Sequence, residues 1–238
     1  MNNIGFGLFC FGDETYFKGA FEKTTEILNR GFNCYVLTDN PSYFTKRFNP
    51  KVLHAISYDR QYKSYHDKMI LNKYILKNHD ISILIDSDLD ILDYSFIDHL
   101  KSYKFNDGVS YIDILLNHKI KKEFISDLNS SSDEWKDYFK IIPEHLLNSQ
   151  LIWEYFMVVN KNGFNNDFYK HYEVFQLVKE YCDLPYNKDV NGAGEGISTL
   201  LACKVTNTPI GRDIILYDLL KDKIKSVSRR FTPKHLLK

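Results

Sequence analysis

The sequence predicts an α/β fold, with a mostly parallel sheet flanked by helices. Short apolar runs recur at 4–11, 34–37, 52–56 and 81–85, stretches of helical period separate them, and most of the runs close on polar turn residues. Strands that alternate with helices at this spacing build βαβ units. Their strands are covered on both faces, so they read as continuous apolar runs rather than as alternating ones.

The elements follow in order. Ile4 to Phe11 is almost wholly apolar and suits a buried strand, after which Gly12-Asp13 marks a turn. Thr15 to Arg30 has helical period, with Phe17, Phe21, Thr25 and Leu28 on one stripe and Gly31 placed to cap it. Cys34 to Leu37 is a second strand, ending in Thr38-Asp39-Asn40-Pro41, and Val52 to Ile56 is a third. Ser64 to Lys77 is helical by propensity, and Ile81 to Ile85 is a fourth strand. Further on, the polar stretch Ser126 to Asp133 reads as a loop or lid. Trp153 to Val159 reads as a strand and Phe168 to Tyr181 as a helix. Asn191 to Gly196 reads as a glycine-rich loop leading into a helix over Ile197 to Lys204. With no internal repeat, the expectation is a Rossmann-type single domain with two halves, 1–95 and 96–220, and a tail over 221–238.

Composition narrows the function classes. The 238 residues are 44% hydrophobic and 26% charged, which excludes long disorder and collagen-like structure. Thirty-one Lys+Arg balance 31 Asp+Glu, so the chain is not built as a general nucleic-acid binder. The four cysteines form no C-x-x-C pair and no zinc spacing; two lie in apolar runs and read as buried thiols of a reducing compartment. No run approaches the ~20 apolar residues of a membrane span, and the first residues lack the marks of a secretory leader, so the expected location is cytoplasmic.

The tail departs from this balance. Residues 221–238 carry seven Lys/Arg against one Asp, a net of +6 that leaves −6 on residues 1–220, and apolar residues are interspersed. Two readings stand: a solvated terminal helix, or a peripheral contact with anionic lipid at the inner membrane face.

The most informative residues are Asp86-Ser87-Asp88-Leu89-Asp90, which follow the fourth strand. Continued strand geometry would set the three carboxylates on one side, where they repel one another. A hard divalent cation relieves that repulsion and takes carboxylate and phosphate oxygens. An EF-hand is excluded, because Ile91 and Ile97 stand where its loop needs Gly and Glu. The plain alternative is a solvated acidic turn.

An Ile-Leu-Ile strand followed by Asp-Ser-Asp, after a strand–helix–strand–Thr-Asp start, resembles the DxD motif of GT-A glycosyltransferases. The second half is loosely similar to the acceptor half of blood-group-type and glycogenin-like retaining transferases. The resemblance implies a GT-A-like fold, a nucleotide-sugar half over 1–95 and an acceptor half over 96–220. It implies Mn²⁺ or Mg²⁺ held most directly by Asp88, with Asp86 contacting the ribose or the metal, Asp90 a spare candidate and His235 or His171 a third ligand. The implied activity is transfer of a sugar from a nucleoside-diphosphate sugar, UDP-sugar favoured, to a glycan or glycolipid hydroxyl. A nucleotidyltransferase and a non-catalytic nucleotide- or sugar-binding module are the alternatives.

Other residues fit around this reading. On the helix before the acidic strand, Asn72 falls inside the apolar stripe of Tyr65, Met69 and Leu76 and Lys68 at its edge, from which a lysine reaches a phosphate or sugar oxygen. Phe9, Phe11, Thr38 and Asp39 end the first two strands, where similar enzymes hold base and ribose. Gly192 to Gly196 fails the phosphate-loop pattern, because Ile197 takes the third glycine's place. It leaves Glu195 as a carboxylate at a helix start, with Asp189, Asn191 and Glu154 as weaker companions, to orient an acceptor hydroxyl or act as a base. Trp153 and Tyr155 are either sugar platforms or core.

Overall fold

The computed structural model describes residues 1–12, 14–58, 65–87, 89–102, 104, 109–111, 137, 156–161, 163, 165–181, 193–212, 214–220 and 223–226. The first half runs β1 (Ile4–Cys10), α1 (Glu14–Asn29), β2 (Asn33–Thr38), α2 (Pro41–Thr45), β3 (Leu53–Ser57), a 3₁₀ turn over Tyr65–Ile70 continuing into α3 (Leu71–Ile75), and β4 (Ile81–Ile85). Then come β5 (Leu89–Ile91), α4 (Phe96–Ser102) and β6 (Val109–Tyr111). The second half supplies β7 (Phe156–Asn160), α5 (Asn166–Tyr181), α6 (Ala193–Thr206), β8 (Ile210–Arg212), α7 (Ile214–Leu220) and β9 (Ile224–Ser226).

Seven strands form one sheet in the order β3-β2-β1-β4-β7-β6-β8, and β5 pairs with β9 in a separate ribbon. Within the seven-stranded sheet β7 alone runs against the rest: it is antiparallel to both β4 and β6, while the β1, β2, β3 and β4 pairings are parallel and β8 is parallel to β6. The fold is therefore α/β with a mostly parallel sheet, as the alternating runs predict, and strands from both halves share that sheet.

Period-two alternation sorts the core into two layers. Phe6, Leu8, Cys10, Val36, Ile83 and Ile85 face one way and pack against α1, α2, α4 and α7. Tyr35, Leu37, Leu84, Met157 and Val159 face the other way and pack against α3, α5 and α6. On that second face β1 carries only glycine at positions 5 and 7. A Cβ on Gly7 would stand 2.6 Å from Leu84 Cδ2 and 2.8 Å from Ile75 Cδ1, and one on Gly5 would stand 2.6 Å from His79 Cδ2. The missing side chains let α3 and the residues after it lie directly on β1.

Several details differ from the sequence reading. The buried stripe of α1 is Phe17, Ala20, Thr24 and Ile27, with Lys23 beside it; Phe21, Thr25 and Leu28 sit at its margin. Gly31, at φ +82, ends α1 as expected: its N–H bonds the Leu28 carbonyl at 2.9 Å and the Phe32 N–H bonds the Ile27 carbonyl at 3.4 Å, the paired bonds of a Schellman stop. The helix expected over 64–77 is a 3₁₀ turn followed by one short α-helix. The glycine-rich stretch is not a loop up to Gly196, because α6 already starts at Ala193; packing of Leu200, Leu201 and Cys203 into the core outweighs the low helix propensity of its glycines. The tail begins as β9 rather than as a helix. The 126–133 loop, Trp153, Glu154 and Tyr155 lie outside the described residues.

Cys10, Cys34 and Cys203 are buried free thiols, as expected for the first two. Burial pushes the Cys34 thiol up to about 12 and raises Cys10 and Cys203 as well, so none of them is a thiolate near neutral pH. At the edge of the sheet opposite the strands' carboxyl ends, His79 is buried beside Gly5. Tyr35 stacks on His54 with ring centroids 4.4 Å apart and meets His79 edge-on at 5.7 Å.

These positions generate three stability predictions. Gly7→Ala overpacks the β1–α3 contact and lowers unfolding free energy by about 1–3 kcal/mol in urea melts. Gly31→Ala meets no neighbour and costs only its left-handed backbone, about 1 kcal/mol. Burial holds the His79 imidazole below its ordinary 6.5, with nearby His54 acting in the same direction and Asp80 opposing; burial lowers His54 too. The folded state thus binds protons less readily than the unfolded chain. The histidines' contribution is flat above about pH 6.5 and falls as pH drops below it, by up to about 1.4 kcal/mol per pH unit for the buried His79 and by less for the more exposed His54. Unfolding free energies at pH 7.5 and 5.5 measure this, and His79→Leu removes its share of the slope, leaving that of His54.

Candidate active site

The four parallel strands β3, β2, β1 and β4 end along one edge. Their registers pair Cys10 with Thr38, Thr38 with Ser57, and Leu8 with Ile85. The chain fills β1, β2 and β3 on one side of β1, then crosses back to place β4 on the other side. The direction of winding reverses between β1 and β4, and a crevice opens outside the carboxyl ends of strands at such a point. Phe11 follows β1 there and Asp86 follows β4.

Lys68 reaches this edge from the 3₁₀ turn. The lysine is only 5% exposed, and its Nζ lies 3.0 Å from Asp86 Oδ1. A lysine buried to that degree requires a partner, and Asp86 supplies the opposite charge. Asn72, one turn further along, is fully buried; its amide nitrogen lies 4.0 Å from Met69 Sδ, and its Oδ1 has no hydrogen-bond partner among the described residues. The two residues singled out on this segment thus sit at the crevice edge and in the core behind it, respectively.

The chain turns immediately after Asp86. The Leu89 N–H donates to the Asp86 carbonyl at 3.1 Å, closing a turn over residues 86–89, and β5 starts at once. The expectation that Asp86, Asp88 and Asp90 share one side is therefore corrected for Asp90. Its carboxylate lies 3.8 Å from Lys23 Nζ on α1, a helix of the opposite face from Lys68. Asp86 and Asp90 are matched to cations on opposite faces, and Asp90 is withdrawn from the cluster. Asp88 lies outside the described residues, as do Asp189, Asn191 and His235. Among the described residues there is no group of three or more His, Cys, Asp or Glu that would hold a metal.

The remaining base-side candidates gather at the same edge. Phe9 and Phe11 have ring centroids 4.5 Å apart, and Tyr58, just past β3, meets Phe11 edge-on at 6.5 Å. Phe11 is packed into the core, so Phe9 and Tyr58 are the more accessible rings. Thr38 is fully buried: its hydroxyl accepts the Asn40 N–H at 3.1 Å and its carbonyl accepts the Tyr58 N–H at 3.0 Å, which ties the ends of β2 and β3 together. Asp39 is exposed beside it. Gly12, at φ +107, turns the chain away from β1 toward α1, a conformation that favours glycine. Glu195 falls in the first turn of α6, and α6 packs against the same core cluster as Met69. His171 lies on α5, half-buried.

Sequence reasoning missed Lys23, Tyr58 and the pair Asp93–Lys223. Lys23 was detectable as a lysine inside the true apolar stripe of α1. Tyr58 and Lys223 owe their places to strand ends and to a pairing between distant segments, which no local pattern encodes. The Lys68–Asp86 contact predicts a thermodynamic cycle. Asp86→Asn removes the carboxylate paired with a nearly buried ammonium and lowers stability by about 1–3 kcal/mol, scaled down because Asp86 is part-exposed. Lys68→Met combined with Asp86→Asn recovers most of that loss in equilibrium denaturation.

No protein-family model matches the chain, and no curated protein matches it in sequence. Among solved structures it is similar to the galactosyltransferase LgtC, solved with donor and acceptor sugar analogues, at 11% identity over 82% of this chain and 70% of that one, with a TM-score of 0.49. It is also similar to the apo glycosyltransferase GlyE of Streptococcus pneumoniae TIGR4, at 14% identity over 89% of this chain and 46% of that one, TM-score 0.46. A third is the apo bifunctional glycosyltransferase WbbM, at 10% identity over 89% of this chain and 39% of that one, TM-score 0.43. The chain spans less than half the length of the latter two. These likenesses are weak, and the functional reading rests on the residues at the crevice.

Proposed function

We propose that the chain is a GT-A-type glycosyltransferase that uses Mn²⁺ or Mg²⁺ and transfers a sugar from a nucleoside-diphosphate sugar, with UDP-sugar preferred, to a hydroxyl of a glycan or glycolipid. The observation that carries this reading is the buried Lys68 paired with Asp86 at the β1/β4 crevice. That pair sets a desolvated positive charge beside a carboxylate of the hard-oxygen kind, where an α/β sheet takes its ligand. Asp86 and Asp88, with His235 as a third ligand, would hold the cation. The bound cation supplies neutralisation of the charge that develops on the departing diphosphate. Lys68 exchanges its Asp86 partner for a diphosphate oxygen when the donor docks. Phe9, Phe11, Thr38 and Asp39 flank base and ribose. Glu195 at the start of α6, with Asp189, orients the acceptor hydroxyl. In this scheme residues 1–95 form the donor half, 96–220 the acceptor half and 221–238 a basic tail. No described helix is long and apolar enough to cross a membrane.

The test is thermal stability with UDP, GDP, CMP or ADP, each with and without Mn²⁺, on wild type and on Asp88→Asn. UDP with Mn²⁺ at ~100 times its dissociation constant adds about 2.7 kcal/mol to the folded state. Asp88→Asn abolishes that gain, and a UDP-sugar panel then shows sugar transfer by the wild type. A shift that needs no metal and survives Asp88→Asn points instead to a non-catalytic nucleotide-binding module. No shift with any nucleotide overturns the proposal.

A further inference from the structure

The acidic turn is anchored at both ends. Upstream it leaves β4, a central strand of the sheet. Downstream it enters β5, which among the described residues is not part of that sheet and pairs only with β9, in the register Leu89 with Ser226, Asp90 with Lys225 and Ile91 with Ile224. A three-residue, two-stranded ribbon is marginal by itself. Two sets of contacts hold it. The nearly buried Lys23, bound to Glu26 at 2.7 Å, also approaches Asp90 from α1. At the far end Lys223 Nζ lies 2.6 Å from Asp93 Oδ2, and the Leu92 N–H donates to the Lys223 carbonyl at 2.7 Å.

An exposed ion pair is ordinarily worth little, because ordering two side chains offsets the attraction. Here one partner is already ordered. Asp93 accepts the Ser95 N–H at 2.8 Å and the Ser95 hydroxyl at 3.0 Å as the chain turns into α4, so its carboxylate is fixed whether or not Lys223 is present. Leu216 and Leu220 of α7 lie in the same core cluster as Phe96 and Leu100 of α4, and Lys223 follows three residues after Leu220. The lysine is thus delivered to Asp93 by a packed helix rather than by a free end.

We infer that Lys223 is a positioning residue for the turn that opens at Asp86: its ion pair with Asp93 latches β9 onto β5 and so holds the chain downstream of that turn, on which cation binding there depends. The inference rests on the reading of that turn as a cation site. Lys223 touches neither cation nor donor. It acts through β5, whose first residue, Leu89, pairs with Ser226 of β9.

The experiment uses the full chain as wild type, Lys223→Gln, Asp93→Asn and the conservative Lys223→Arg. Hydrogen exchange reads the Leu92 amide against the β4 amides, and electron paramagnetic resonance of free Mn²⁺ reads binding of the metal alone. The expected result is Leu92 exchange faster by about 2–5-fold in Lys223→Gln and Asp93→Asn, with β4 unchanged, and Mn²⁺ bound more weakly by the same factor. Lys223→Arg restores both. Unchanged Leu92 exchange overturns the latch. Faster exchange with unchanged Mn²⁺ affinity overturns its positioning role while leaving the cation site standing. A wild type that binds no Mn²⁺ overturns both the cation site and this inference, and the exchange data then still say whether the latch exists.

Discussion

The arrangement depends on how closely the segment 65–75 approaches β1. That approach is possible because β1 presents no side chain at Gly5 and Gly7 on one of its faces. With α3 lying on the strand, the preceding 3₁₀ turn carries Lys68 to the carboxyl edge at the height of Asp86. Any bulk on that face of β1 lifts the helix, and the lysine moves with it. Stability and site geometry therefore share one contact. The other face shows the contrast, since Phe6 and Leu8 fill it and α1 packs at the distance their side chains set.

Charge at the crevice follows a second logic. The carboxylates after β4 do not act as one block, because the turn at 86–89 sends Asp86 and Asp90 to cations on opposite sides of the sheet. Each lysine involved is nearly buried, Lys68 at 5% and Lys23 at 4% exposure. A buried ammonium is costly to leave unmatched, so Lys68 draws Asp86 to one face while Lys23, bound to Glu26, also draws Asp90 to the other. The start and the end of the acidic run are in this way held by separate lysines.

Much of the framework was legible. The runs at 4–10, 34–37 and 81–85 are apolar on both faces, the pattern of strands covered on both sides. Gly31 was readable as a stop because the left-handed position beyond α1 favours glycine. The Lys68 reading came from helical period even though the segment is wound more tightly than an α-helix, since one turn of either helix carries Lys68 toward Leu71 and Asn72. What escaped was non-local. β5, β6, β8 and β9 have three residues each, too few to show a period. The antiparallel sense of β7 leaves no mark on its own apolar run. Asp90 was misread because alternation was carried past the end of β4, where the backbone turns, and Lys23 was missed because the α1 stripe was placed one residue off.

The ribbon of β5 and β9 has a kinetic side. Asp93 and Lys223 stand 130 residues apart in the chain, whereas β1 and β2 are joined through a single helix. Closing so long a loop comes late, after the local βαβ units have formed, because its entropy is lost before the contact returns anything. During synthesis at ~5–20 residues per second, on the order of 10 s separate the emergence of the two segments. Over that interval the nascent chain holds its first parallel strands while the backbone of β5 waits without its partner. The ribbon beside this crevice is thus closed late, onto a separate sheet whose parallel strands are already paired.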